Sequence, residues 1–189
     1  GYTIMVMSST HIITPHLFPA PYDAIKDFAP ITTVASTELI LVVHPSLPVR
    51  TLKEFIALAK ARPGQMNYGS SGAGAITRLA GALFDMMTGT KMQNISYKGT
   101  GQVTTDLLGG QIQLAFAVPS PTIPFVQAGK VRALAVTSPT RAAVMPDLPT
   151  VAESGLPGFD FNLWIGILAP AKTPKALKEA IAADIARVL

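Results

Sequence analysis

The chain has 189 residues, 49% hydrophobic and only 14% charged, with 15 Lys and Arg against 11 Asp and Glu for a formal net charge of +4. That length can bury a sizeable core, and so low a charge content excludes a disordered polyelectrolyte. The basic residues are scattered without neighbouring aromatics, which argues against nucleic acid as a partner; no apolar run reaches the ~18 residues of a membrane span, and zero Cys excludes disulfides, thiol catalysis and Cys-based zinc.

In chain order, YTIMVM (2–7) reads as a strand broken by SSTH (8–11). Residues 27–43 read as two extended segments, APITTVA and LILVVH, closed by Pro45 and Pro48. Thr51 and Glu54 have capping-box spacing and open a helix to Ala61, stopped by Pro63-Gly64. A short strand, Gln65 to Tyr68, then enters the run NYGSSGAGA (67–75).

The clearest helix follows, with Ile76, Leu79, Ala80, Leu83, Phe84 and Met87 on one face and Gly89 as its C′ residue. Met86 and Met87 read as core. A strand at Asn94–Tyr97, the turn KGTG (98–101) and a helix over Val103–Leu108 come next. IQLAFAV (112–118) is a strand, Thr122–Ala128 a short helix and VRALAVTS (131–138) a strand. Thr150 and Glu153 form a second capping box on about one turn. FDFNLWIGILAP (159–170) is a strand, and Thr173-Pro174 opens a helix with Leu177, Ile181, Ile185 and Val188 on one face. Strands alternating with helices predict an α/β fold with a mostly parallel sheet.

The glycine-rich run fails each nucleotide template on a named residue. Read from Gly72 and Gly74, a dinucleotide fingerprint needs glycine at Thr77; Gly69 and Gly74 have Walker spacing, but Ala75 stands where Lys must be. A nucleophile elbow on Gly69 and Ser71 needs glycine at Ala73, and His11, His16 and His44 all precede it. No metal set or acid–base carboxylate pair is apparent, so no cofactor is expected. What survives is a backbone of small residues entering a helix near Ala75, whose first amides favour an anion, with Ser70 and Ser71 as hydroxyl donors. A tight turn with serine capping is the other reading of the same residues.

A set of ordered motifs resembles the solute-binding receptors of tripartite tricarboxylate transporters, the Bug or TctC-type family. They include DFAPITTVAS (27–36), LVVHPSLPVRTLKE (41–54), LAKARPGQMNYGSSGAG (58–74), LAGALFDMMTG (79–89), YKGTGQVTTDLLGGQI (97–112), AGKVRALAVTS (128–138) and PDLPTVAESGLPGF (146–159). The resemblance implies a type II periplasmic-binding-protein fold, two α/β lobes joined by crossing hinge strands. Residues 1–36 and 163–189 would form a partial first lobe, and 37–162 the inserted second lobe. It implies a periplasmic, non-enzymatic receptor that captures a small carboxylate for inner-membrane permease subunits.

The ligand residues implied are Gly69, Ser70, Ser71, Gly72, Ala73, Gly74 and Thr77, with Tyr97 of the YKG turn, Ala117, and Ser9 from the first lobe. Family members often carry His where Arg78 stands and Asp where Ala117 stands; Ala117 removes an acceptor for a ligand amine or hydroxyl and so directs the expectation to a plain organic acid. The family's secretion signal, opening strand and Pro/Gly-rich loop are not in this sequence, which reads as the middle of a longer protein. A sensor of the same fold signalling to a membrane partner, or an α/β hydrolase using Ser70 or Ser71, are the competing readings.

Overall fold

Thr51 and Glu54 set the first well-defined helix. The Glu54 amide donates to Thr51 Oγ1 and the Thr51 amide to Glu54 Oε2, both at 3.2 Å. This satisfies two amides that a helix start otherwise leaves open. Helix α2 (Leu52–Ala61) follows and buries Leu52, Phe55 and Ala59. The computed structural model describes residues 3–72 and 74–189, which divide into two compact units, 3–37 with 163–189, and 38–162. Among these residues no helix is long and apolar enough to cross a membrane.

The larger unit holds strands β3 (Ile40–Val43), β4 (Asn67–Ser70), β5 (Gln93–Ser96), β6 (Leu114–Ala117) and β7 (Arg132–Val136) in the order β5-β4-β6-β3-β7. Strand β4 runs parallel to β5 and β6, whereas β3 is antiparallel to both of its neighbours, β6 and β7. The expected mostly parallel sheet therefore holds in this unit with one exception. Crossover helices connect the parallel strands, but β3 arrives directly from the preceding strand across Leu39 alone, so no crossover dictates its direction.

All four residues of β3 are fully buried, which explains why this stretch reads as a continuous apolar run and not an alternating one. Leu41, Val43, Leu114 and Phe116 face one core, with Phe55 of α2 and Phe84 of α3 (Ile76–Thr88). Ile40, Val42 and Ala115 face the other, with Val103 and Leu107 of α4 (Thr100–Leu108). Helices thus cover both faces, following the period-2 alternation of the strands.

Helix α3 buries Ile76, Ala80 and Phe84 of the expected stripe, but the buried face also takes in its small residues. Thr77, Gly81 and Thr88 are buried, while Met86 and Met87 are 75% and 37% exposed, so neither Met is core. The ring of Tyr68 packs on the Gly81 side of the helix: a Cβ on Gly81 would lie 2.3 Å from its Cε2, and its hydroxyl donates to the Arg78 carbonyl at 3.2 Å. A bulky side chain cannot stand at position 81, while Phe84 enters the core. Gly89 ends it with φ of 70°, as its position implied.

Helix α5 spans Pro119–Gln127, starting three residues before the expected Thr122. Proline is tolerated in a first turn, where the missing N–H has no intrahelical partner in any case. Thr150 and Glu153 close their reciprocal box at 2.9 and 3.0 Å over a single turn.

In the smaller unit, β1 (Met5–Ser8), β8 (Asn162–Pro170) and β2 (Phe28–Glu38) form a sheet in the order β1-β8-β2, and β1 and β8 are antiparallel. The chain passes between the units within β2 and within β8; Phe159, expected on the latter strand, instead lies buried in the larger unit's core. Helix α1 (Thr10–Leu17) starts within the SSTH segment (8–11) read as a break and continues through residues to which no element was assigned. Its β-branched residues and internal Pro15 disfavour a helix, but the acceptor Pro15 cannot reach, the His11 carbonyl, receives the Tyr22 hydroxyl at 3.3 Å. Helix α6 (Lys175–Ala186) has Pro174, not Thr173, as its N-cap, and buries none of its residues.

Candidate ligand-binding site

Three loops leave the carboxyl ends of the parallel strands β4, β6 and β5, and each opens a helix. That edge is where open α/β sheets hold ligands. The N-cap residues are Ala75 for α3, Gly99 for α4 and Val118 for α5; none makes a side-chain capping bond, and no first turn carries an acid. The contrast with the capped α2 is physical. Uncapped first turns present amides and the positive end of the helix dipole to whatever lies beyond them. Pro119 and Pro121 leave α5 with few such amides, so α3 and α4 carry most of the donors.

The glycine-rich loop separates its two serines. Ser70 is fully buried, with Oγ 3.2 Å from Asn94 Oδ1 and 3.4 Å from the Gly72 carbonyl oxygen. It anchors the loop to β5 and is enclosed by protein. Ser71 is half-buried, and its amide donates to Thr77 Oγ1 at 3.3 Å. That bond folds the loop back on the first turn of α3. Gly72 adopts φ of 144°, a backbone region that favours glycine, with open space where a Cβ would be. Gly74 is half-buried, and Ala73 lies outside the described residues.

Gly69 is small for packing: a Cβ there would lie 2.6 Å from Ile112 Cδ1 and 2.7 Å from Val103 Cγ1. Tyr97 is also tied inward. Its amide donates to the Ser70 carbonyl at 2.8 Å, and its hydroxyl donates to Asp106 Oδ2 at 2.7 Å. Burial, followed by the Asp106 hydrogen bond and charge, pushes the Tyr97 phenol up to about 12. Tyr97 therefore braces the turn after β5 against α4.

Gly69, Ser71, Thr77 and Ala117 line one cavity of about 460 Å³ within the larger unit. The sequence reading missed most of its other walls. Thr100 and Gly101 come from the start of α4, Thr122 from α5, and Val103, Leu107 and Phe125 from deeper down. The pair Thr100-Gly101 was visible only as half of a turn motif; nothing in the spacing of the apolar residues marked them as lining a space. No charged residue is among the described residues that line the cavity. Ser9 belongs to the other unit, where it precedes α1; it is buried, its amide donates to the Trp164 carbonyl at 3.3 Å, and its Oγ has no partner.

The family model described as "Tripartite tricarboxylate transporter family receptor" matches residues 1–186. BugT of Bordetella pertussis is 34% identical over 181 residues, covering 94% of this chain and 56% of its own length. A protein from the tcbD-tcbE intergenic region of Pseudomonas sp. strain P51 is 30% identical over 191 residues, covering 100% and 57%. The chain thus spans little more than half the length of these relatives. Among solved structures, R. palustris Rpa4515 with adipate superposes with a TM-score of 0.87 at 32% identity, covering 98% of this chain and 63% of the other. MatC from Rhodopseudomonas palustris with bound malate gives 0.83 at 27%, covering 97% and 63%.

Proposed function

The chain belongs to the tripartite tricarboxylate transporter receptor family, and we propose that its larger unit captures the carboxylate of a small organic acid in the periplasm for delivery to membrane permease subunits. The observation that carries this reading is the pair of uncapped helix starts, α3 and α4, beside a loop of small residues. Ser71, Gly72, Gly74 and Thr77 sit at the first of them, Gly101 at the second. Backbone amides aimed at a carboxylate form charge-assisted hydrogen bonds, about twice as strong as neutral ones. With no Lys or Arg among the described residues that line the cavity, the site holds its anion by helix dipoles, amides and hydroxyls. The adipate and malate held by two structural relatives support the same ligand class.

The competing hydrolase reading loses support because Ser70 is enclosed and, among the described residues, no histidine lines the cavity with Ser71. Calorimetry on the complete protein with butyrate and butyramide tests the proposal. The acid is expected to bind and the amide to fail; equal binding of both would mean that the carboxylate is not what the loop recognises.

A further inference from the structure

We infer that the cavity between α4, α5 and the sheet receives the hydrocarbon body of the ligand, so that the acid captured carries an aliphatic chain or ring with no second set of polar groups in this unit. The inference rests on the carboxylate reading above and deepens it. The cavity is about 460 Å³, within the ~300–1,000 Å³ range usual for small-molecule sites. It has two levels. Ser71, Thr77 and Gly101 stand where the loops and helix starts meet, while Val103, Leu107, Phe125 and Val131 line the remainder.

Small residues on one strand make the space. Along β6, Leu114 and Phe116 pack into one core, whereas Ala115 and Ala117 face the side of α4 and α5. Any larger residue at 115 or 117 would occupy the volume that the two alanines leave. Two hydroxyls on the walls are already committed. Thr104 Oγ1 donates to the Thr100 carbonyl at 3.0 Å, and Thr122 Oγ1 donates to the Val118 carbonyl at 2.8 Å. Their protons go to their own helices, and among the described residues no cationic side chain lines the wall. A second carboxylate placed there would lose its water without gaining a donor, a large cost. A methylene placed there gains from leaving water, about fourfold in affinity for each one buried.

Calorimetry on the complete protein with butyrate, hexanoate, octanoate, hexanamide and malate provides the test. Affinity is expected to rise at least several-fold from butyrate to hexanoate and to exceed that for malate. Ala117→Val, which fills the floor, should weaken hexanoate about tenfold more than butyrate. Phe125→Ala, which enlarges the opposite wall, should shift the preference toward octanoate. A response flat in chain length, or malate binding more tightly than hexanoate, overturns the inference while leaving carboxylate capture intact. Hexanamide binding as tightly as hexanoate overturns the carboxylate reading and leaves the apolar cavity standing; binding by none of the five overturns both.

Discussion

The amide of Leu39 donates to Thr137 Oγ1 at 2.8 Å, and the amide of Thr137 donates to the Leu39 carbonyl at 2.8 Å, although the residues are 98 positions apart. Thr137 Oγ1 also lies 2.6 Å from the Phe161 carbonyl oxygen. Leu39 immediately follows β2 and Phe161 immediately precedes β8, the two segments that carry the chain between the units. One fully buried hydroxyl thus fastens both passages to β7. Thr137→Val keeps the shape and leaves the Leu39 amide without its acceptor, so urea unfolding should show a loss of about 1–3 kcal/mol. Thr137→Ser, which keeps the hydroxyl, should recover most of it; equal loss in both variants would point to packing instead.

Gly81→Ala tests the contact between α3 and Tyr68. In an isolated helix the change would stabilise by about 1 kcal/mol. Here the new Cβ meets the ring at 2.3 Å. Overpacking of that kind costs about 1–3 kcal/mol, so the melting temperature should fall. A rise would mean that the ring moves aside freely.

Ser70 and Ser71 should separate in their effects. Ser70→Ala removes a buried hydroxyl that touches Asn94 Oδ1, and should cost about 1 kcal/mol of stability. Ser71→Ala leaves that anchor in place and, on the proposed function, weakens carboxylate binding about tenfold with little change in stability. Thermal unfolding and calorimetry on both variants would check this. The reverse pattern would exchange the roles assigned to the two serines.

Glu54 accepts the amides of Arg50 and Thr51, which hold its carboxyl below its ordinary value of 4.5. A depressed acid contributes stability that is present above the unfolded value and lost as pH falls through the lower folded one. Thr51→Ala should cost about 1 kcal/mol at neutral pH. Glu54→Gln should flatten the acid limb of the stability profile below pH 4.5, and an unchanged limb would mean that other carboxylates govern it.

Tyr97 behaves in the opposite sense at high pH. Its folded value of about 12 lies above the ordinary 10.0, so the neutral phenol favours the fold. That contribution is complete below pH 10 and is lost as pH rises toward 12. Ultraviolet titration should show a late phenolate step absent from Tyr97→Phe, and Asp106→Asn should move it earlier. A step at the same pH in Asp106→Asn would leave burial as the whole cause.

Local chemistry was legible wherever neighbours in sequence decide the outcome. The Thr51–Glu54 and Thr150–Glu153 boxes, the Gly89 cap and the strand–helix alternation all depend on residues within a few positions of one another. The rejection of nucleotide chemistry was equally local, since it turned on Ala75 and Thr77. Helix α1 was not legible, because Pro15 and its β-branched neighbours disfavour it and Tyr22 compensates from outside the helix.

The sequence by itself determined that an α/β chain carries a glycine-rich loop at a helix start, because turn, cap and periodicity are written in adjacent side chains. Only the tertiary structure decided which serine is enclosed, which face of α3 meets Tyr68, and where two alanines on β6 open a cavity. Each of those depends on atoms brought together from distant positions, where contact distances of a few ångströms, and not residue preference, determine what fits.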